Sequence, residues 1–361
     1  MVKRVVALCS VMSMTLLVGF ASAGHAGTLG ANAYQVHNLV SDQMGVADHQ
    51  DPNLVNAWGL AAGPMTPWWV ANNHSNTATI YDGTGAAIPL VVGVNDSPTG
   101  EVFNGGTGFK VHHAGFSGPS VFLFATEGGT IRGWNPNVPP PMPSTHSFRV
   151  VNFADQDAVF KGLAIASTSH GDMLYATDFH NGRVDVFGEH FHQILRHRFV
   201  DESLPDNYAP FGIQTIGRAV FVTYAKQDPN SDDELHGAHF GFVDMYSLRG
   251  RLLARVASRQ ALNAPWGLAW APDNFGRFSG DLLVGNFGDG RINAYSWSCG
   301  HFHWAGVLRD GLGAPISIDG LWALEFANGG PSGPTTTLFF TAGPSDEDHG
   351  LFGTIDAIPT Y

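Results

Sequence analysis

The sequence predicts an all-β protein, a six-bladed β-propeller closed by an N-terminal strand that completes the last blade. Three observations carry that expectation. A short motif, an aromatic or apolar residue beside Gly, recurs roughly every 50 residues, the period of propellers and solenoids. It reads Asn56-Ala57-Trp58-Gly59-Leu60, then more weakly Thr107-Gly108-Phe109, then Phe160-Lys161-Gly162-Leu163, Pro210-Phe211-Gly212-Ile213, Ala264-Pro265-Trp266-Gly267-Leu268 and Leu321-Trp322-Ala323-Leu324. Each copy is followed by two further apolar runs joined by turns such as His180-Asn181-Gly182 and Gly288-Asp289-Gly290. Those turns supply the positive φ of tight hairpins, so each unit is an antiparallel meander. Finally, 45 Gly, 21 Pro and only 14% charged residues accompany the absence of any sustained helical period.

In chain order, Met1-Val2-Lys3-Arg4 is a basic start, Val5 to Phe20 an apolar core and Ala21-Ser22-Ala23 a small-residue cleavage site. Residues 1–23 therefore read as a signal peptide. The apolar run falls short of the roughly 20 residues a spanning helix needs. Residues 24–361 then form one propeller domain, exported to the periplasm or the exterior. Loss of the leader removes Cys9 and leaves Cys299, so no internal disulfide is expected and packing must supply stability. The formal net charge of −13 argues against nucleic acid or an anionic membrane surface as partner.

Asn32 to Ser41 alternates like a strand and precedes the first full unit, which makes it the strand that closes the sixth blade and removes two exposed edges. Middle strands are expected at 68–73, 121–127, 173–178, 219–224, 281–286 and 338–343, and third strands at 78–82, 130–134, 183–187, 241–246, 291–295 and 353–358. Pro139 to Pro143 suits an exposed loop in the second unit. Gln227 to Phe240, with Asp228, Asp232, Asp233, Glu234, His236 and His239, is too polar for a core and is expected to hang over one face of the disc. Trp58, Trp266 and Trp322 are expected to be structural, packed between neighbouring blades.

Asp51 to Leu60, Trp69 to Asn73, Leu283 to Gly290, Leu338 to Pro344 and His349 to Gly353, taken together, resemble a family of exported bacterial proteins related in pattern to NHL-type six-bladed propellers. The resemblance implies the fold and an export route but no activity. The end at Pro359-Thr360-Tyr361, without an apolar tail, leads to the expectation of a released, soluble monomer.

Function has to be sought at sites, because a propeller hosts unrelated chemistries. Polar residues stand just after the middle strands in five units: Asn72, Asn73 and His74; Glu127; Asp178 and His180; Tyr224 and Lys226; Asn286 and Asp289. If these line the channel, Glu127, Asp178, Asn73 and Asn286 could hold a hard cation such as Ca²⁺ through carboxylate and amide oxygens. The competing account is that Asn, Asp and Gly simply make the hairpin turns. Propeller hydrolases that open lactones or esters with calcium combine a Glu, an Asp and Asn residues in this way, but Trp58, Trp266 and Trp322 depart from their strand openings. The 17 histidines, densest at His112-His113, His190/His192, His236/His239 and His301/His303, show no zinc spacing. No G-x-S-x-G, phosphate loop or C-x-x-C is present. Two readings stay open: a binding or interaction scaffold for a small molecule or a protein, and a metal-assisted hydrolase, lactonase or lyase acting in the channel.

Overall fold

The computed structural model describes residues 30–359, so the leader-like segment 1–23 lies outside the described residues. The motif glycines explain the architecture. In every blade the ladder between the first and second strands slips at the motif, between Ala57 and Leu60, Phe160 and Gly162, Pro210 and Ile213, Pro265 and Leu268, and Leu321 and Leu324. Blade 2 carries the same slip on its inner strand, where Pro98 to Glu101 faces Thr126 to Phe124. A bulge bends its strand and strengthens the twist. It also brings the neighbouring inner strand close. A Cβ on Gly59 would lie 2.3 Å from the Thr99 carbonyl oxygen, and one on Gly212 2.2 Å from that of Trp266. At Gly59 and Gly212 only glycine allows so close an approach, whereas blade 6 carries Ala323 in the same slot.

Six blade sheets result, each with a run of four strands; in blades 4 and 6 a two-residue strand, Glu234–Leu235 and His49–Gln50 respectively, pairs in addition. The inner strands are Ala57–Ala61, Pro98–Phe103, Phe160–Thr168, Tyr208–Ile216, Pro265–Trp270 and Leu321–Phe326, for blades 1 to 6, and each contacts the next around the axis, the sixth returning to the first. Blade 6 is completed by Tyr34–Ser41, antiparallel to Leu351–Ala357, as expected. Tyr34 also donates to the Phe275 carbonyl at 3.0 Å, tying the closing strand to blade 5. Outer strands that the sequence motifs left unassigned are Val92–Gly93, Phe148–Asn152, Gln193–Ile194, Leu252–Ser258 and His301–Val307.

Blade 2 corrects the motif alignment. Its inner strand is Pro98–Phe103, with Gly100 in the glycine slot, and Thr107-Gly108-Phe109 instead leads into an inserted hairpin, Lys110–His113 with Phe116–Pro119. Phe109 is wholly buried there. Thr99 in the aromatic slot and Glu101 in an apolar one had disguised the true strand.

Candidate functional site at the upper channel mouth

The residue before each motif glycine faces the axis, giving a belt of Trp58, Thr99, Lys161, Phe211, Trp266 and Trp322. The three tryptophans are buried and pack on one another across the neighbouring blades 5, 6 and 1, as expected, and they do so at the channel, which they plug. Trp58 stacks on Trp322 with centroids 3.8 Å apart, and Trp266 meets Trp322 edge-on at 5.8 Å. Phe211 lies 5.9 Å from Trp322, and Phe287 stacks on its other side at 4.1 Å.

Two belt positions break the apolar rule, Thr99 and Lys161, and only the second carries a charge. Lys161, 1% exposed, places its Nζ 5.2 Å from the Trp58 ring centre and 2.6 Å from Glu127 Oε1. The other Glu127 oxygen accepts from Asn73 Nδ2 at 2.9 Å. Asn56, wholly buried, donates to Glu347 at 2.5 Å and accepts from the Trp322 indole at 3.0 Å. From above, the 227–240 insertion brings Asp233 to 3.5 Å from Lys161. The insertion is held down by His180 Nδ1 on Asp232 at 2.6 Å, by Gln227 Nε2 on the Phe179 carbonyl at 2.7 Å, and by the Gly237 amide on Asn263 at 2.6 Å.

The electrostatics follow from this crowding. Burial opposes the Lys161 charge, but Glu127, Glu234 and Asp233 outweigh it and raise its pKa above the ordinary lysine value. Burial pushes Glu234 up to about 8 against the pull of Lys161, and burial likewise raises Glu347 despite the Asn56 hydrogen bond. Carboxylates from three segments thus share one ammonium.

Of the four residues expected to hold Ca²⁺, the structure brings together Asn73 and Glu127 only. Asp178, wholly buried, takes Asn181 Nδ2 at 2.9 Å and Arg183 at 3.1 Å within its own hairpin, and burial raises its pKa. Asn286 donates to Asp289 at 3.0 Å inside its own hairpin and to Ala261 O at 2.8 Å in the loop before the inner strand of the same blade. The turn account holds for both. Three of the other expected lining residues are likewise engaged elsewhere, whereas His180 stays at the mouth on Asp232. Asn72 bridges Thr77 and Thr79, Tyr224 bonds Tyr246 inside blade 4, and Lys226 covers Phe240. His74 is exposed at the rim. The physical reason is that inner strands, not second strands, face the axis. The cation that the acidic mouth demanded is therefore internal, and it stood in the repeat pattern itself as a lysine in a tryptophan slot.

Among the described residues no three His, Cys, Asp or Glu side chains gather as a metal site. His190 and His192 lie in a turn, not a strand, whereas His301 and His303 are exposed on one outer strand. A cleft of about 860 Å³ beside blades 3 and 4 is lined by Arg183, Arg196 and Arg198 together with Asp185 and Asp201. Three of its charged groups are already committed, Arg183 and Asp185 to one another with Asp178 on the same guanidinium, and Asp201 to Arg255.

Comparison with known proteins finds relatives in Acanthamoeba polyphaga mimivirus. Uncharacterized protein R648 is 35% identical over 339 residues, covering 89% of this chain and 80% of the relative. Uncharacterized protein L690 is 33% identical over 343 residues, covering 89% and 85%. The relatives are viral, so the bacterial family suggested by the motifs is not supported. No family model matches, NHL repeats included. Among solved structures, a structural-genomics protein of unknown function from Bacteroides thetaiotaomicron superposes with a TM-score of 0.56 at 11% identity, covering 90% of this chain and 76% of that one. The soluble aldose sugar dehydrogenase of Escherichia coli gives 0.52 at 12%, covering 90% and 99%. At such identities the likeness is one of fold alone.

Proposed function

Because the chain belongs to the family of the uncharacterised mimivirus proteins R648 and L690, its role must be argued from its own site, and we propose that it is a binding propeller whose acidic upper mouth takes a cationic group, an ammonium or guanidinium, of a small molecule or a basic peptide. The observation that carries this reading is the surplus of acidic side chains over the single ammonium of Lys161: Glu127, Asp233 and Glu347 surround it, and Glu234, whose proton burial holds up to about pH 8, adds its charge above that. Exposed Asp232, Asp346 and Asp348 extend the same charge outward. Like charges held close favour an added cation, and a low-dielectric rim of Trp322 and Phe287 strengthens that attraction.

The donors and acceptors at the mouth pair with one another as Lys, Asn and Glu, which favours binding over hydrolysis. A calcium-assisted hydrolase would need Asp178 and Asn286 at this point. Export through residues 1–23 belongs to the same proposal and is tested by sequencing the N-terminus of secreted protein.

The test is fluorescence anisotropy with a labelled Arg/Lys hexapeptide. Binding is expected at low ionic strength, weakening as salt screens the mouth, and weakening again in a Glu127→Gln, Asp233→Asn double variant. Equal affinity for an acidic hexapeptide, or no binding by the basic one, would overturn the reading.

A further inference from the structure

Below the tryptophan plug the ring leaves a void of about 30 Å³, bounded chiefly by aliphatic side chains and by Trp266. Its polar lining is Glu101, Gln214 and Glu325. These come from the inner strands of blades 2, 4 and 6, alternate members of the ring, so they approach the axis from three directions. The repeat does not ask for them. Leu60, Leu163, Leu268 and Leu324 hold the slot of Glu101 in other blades.

Glu101 is 5% exposed and neither of its carboxylate oxygens has a hydrogen-bond partner. The Trp266 indole N–H is unpartnered as well. A bare carboxylate at this depth costs several kcal/mol, and a second carboxylate beside it adds repulsion. Lys161, the one buried Lys or Arg among the described residues, lies beyond the plug and is held by Glu127.

We propose that Glu101, Glu325 and Gln214 form an axial site for one hard divalent cation of the Ca²⁺ class. Two carboxylates and an amide oxygen balance a double positive charge with oxygen ligands alone. Ca²⁺ takes oxygens at roughly 2.3 to 2.6 Å in adaptable geometry, and water completes the shell. A water needs about 10 to 15 Å³ of such space, so the void holds the ion and a water. The unpartnered indole N–H of Trp266 is a donor for that water or for a carboxylate oxygen. Mg²⁺ suits the site less, since it demands a regular octahedron at about 2.0 to 2.1 Å. The cation would bind three blades to one another from inside the ring. This inference stands apart from the acidic mouth.

The experiment is thermal unfolding of the full chain after chelation, titrated with CaCl₂ and, separately, MgCl₂, with bound metal counted after dialysis. Ca²⁺ is expected to raise Tm by about 4 °C at a hundredfold excess over Kd, with one ion per chain. Glu101→Gln and Glu325→Gln are each expected to abolish the shift, whereas Glu127→Gln, which alters only the upper mouth, keeps it. Should Glu101→Gln fail to fold, Glu325→Gln decides alone. No shift in the parent, a shift that survives both substitutions, or one lost only in Glu127→Gln would overturn the proposal.

Discussion

At the upper end of the channel Glu127, Asp233, Glu234 and Glu347 surround a lysine whose ammonium is hydrogen-bonded, whereas at the lower end Glu101 and Glu325 line a void that no ammonium of the described residues reaches. Both ends bury acid on the same axis, separated by one layer of stacked tryptophan. The comparison teaches that a buried carboxylate is a structural statement about its neutralising partner. Where the chain supplies the partner from a neighbouring strand, the site is complete within the protein and only surplus charge is left to recruit a ligand. Where it supplies none, unpartnered oxygens mark a place for something from outside.

The largest effect is expected from removing the layer that keeps the two ends apart. Trp322, wholly buried between Trp58 and Phe287, also satisfies Asn56. Trp322→Ala should destabilise by about 3 to 5 kcal/mol, read as a fall in the urea midpoint. An unchanged midpoint would mean the ends are not separated by a packed layer.

Lys161→Met makes the upper end resemble the lower, leaving Glu127 and Glu234 without their cation. A loss of about 3 kcal/mol is expected, towards the low end for a broken buried pair because Glu127 is partly exposed. The reverse substitution of kind, Glu101→Leu, gives the lower end the residue that other blades use. In the presence of chelator it should raise stability by about 1 kcal/mol, since it exchanges an orphaned acid for the repeat's own apolar residue. If it destabilised, Glu101 would have to be satisfied in the folded chain.

The smallest effect is a pH dependence confined to the upper mouth. Burial pushes Glu234 to about 8, above the roughly 4.3 of an unfolded glutamate. The folded chain therefore keeps a proton that the unfolded chain releases. The resulting stability is fully present below pH 4.3 or so and is lost as pH rises through 8. Across that window the Tm difference between parent and Glu234→Gln should narrow or reverse by on the order of 1 °C, followed by calorimetry. A constant difference would place Glu234 in solvent, away from the lysine.

Much of this molecule was legible in its residues because the relevant physics is local. The motif glycines mark where one inner strand's backbone touches the next, and Asp178-Phe179-His180-Asn181-Gly182 and Asn286 to Gly290 carry the chemistry of their own hairpins. Tyr34 to Ser41 announced the closing strand by its alternation and its lack of a hairpin partner. Blade 2 was misaligned because its glycine slot, Gly100, is flanked by Thr99 and Glu101 instead of the usual aromatic and leucine. Which side chains meet on the axis was decided only by ring closure. Asn56, Glu127, Lys161 and Glu347 are far apart in the chain, as are Glu101, Gln214 and Glu325, and each set becomes adjacent only when six blades bring their inner strands around one axis. Turn and strand propensities act within a few residues, whereas burial and charge pairing depend on neighbours that the chain acquires after it has closed the ring.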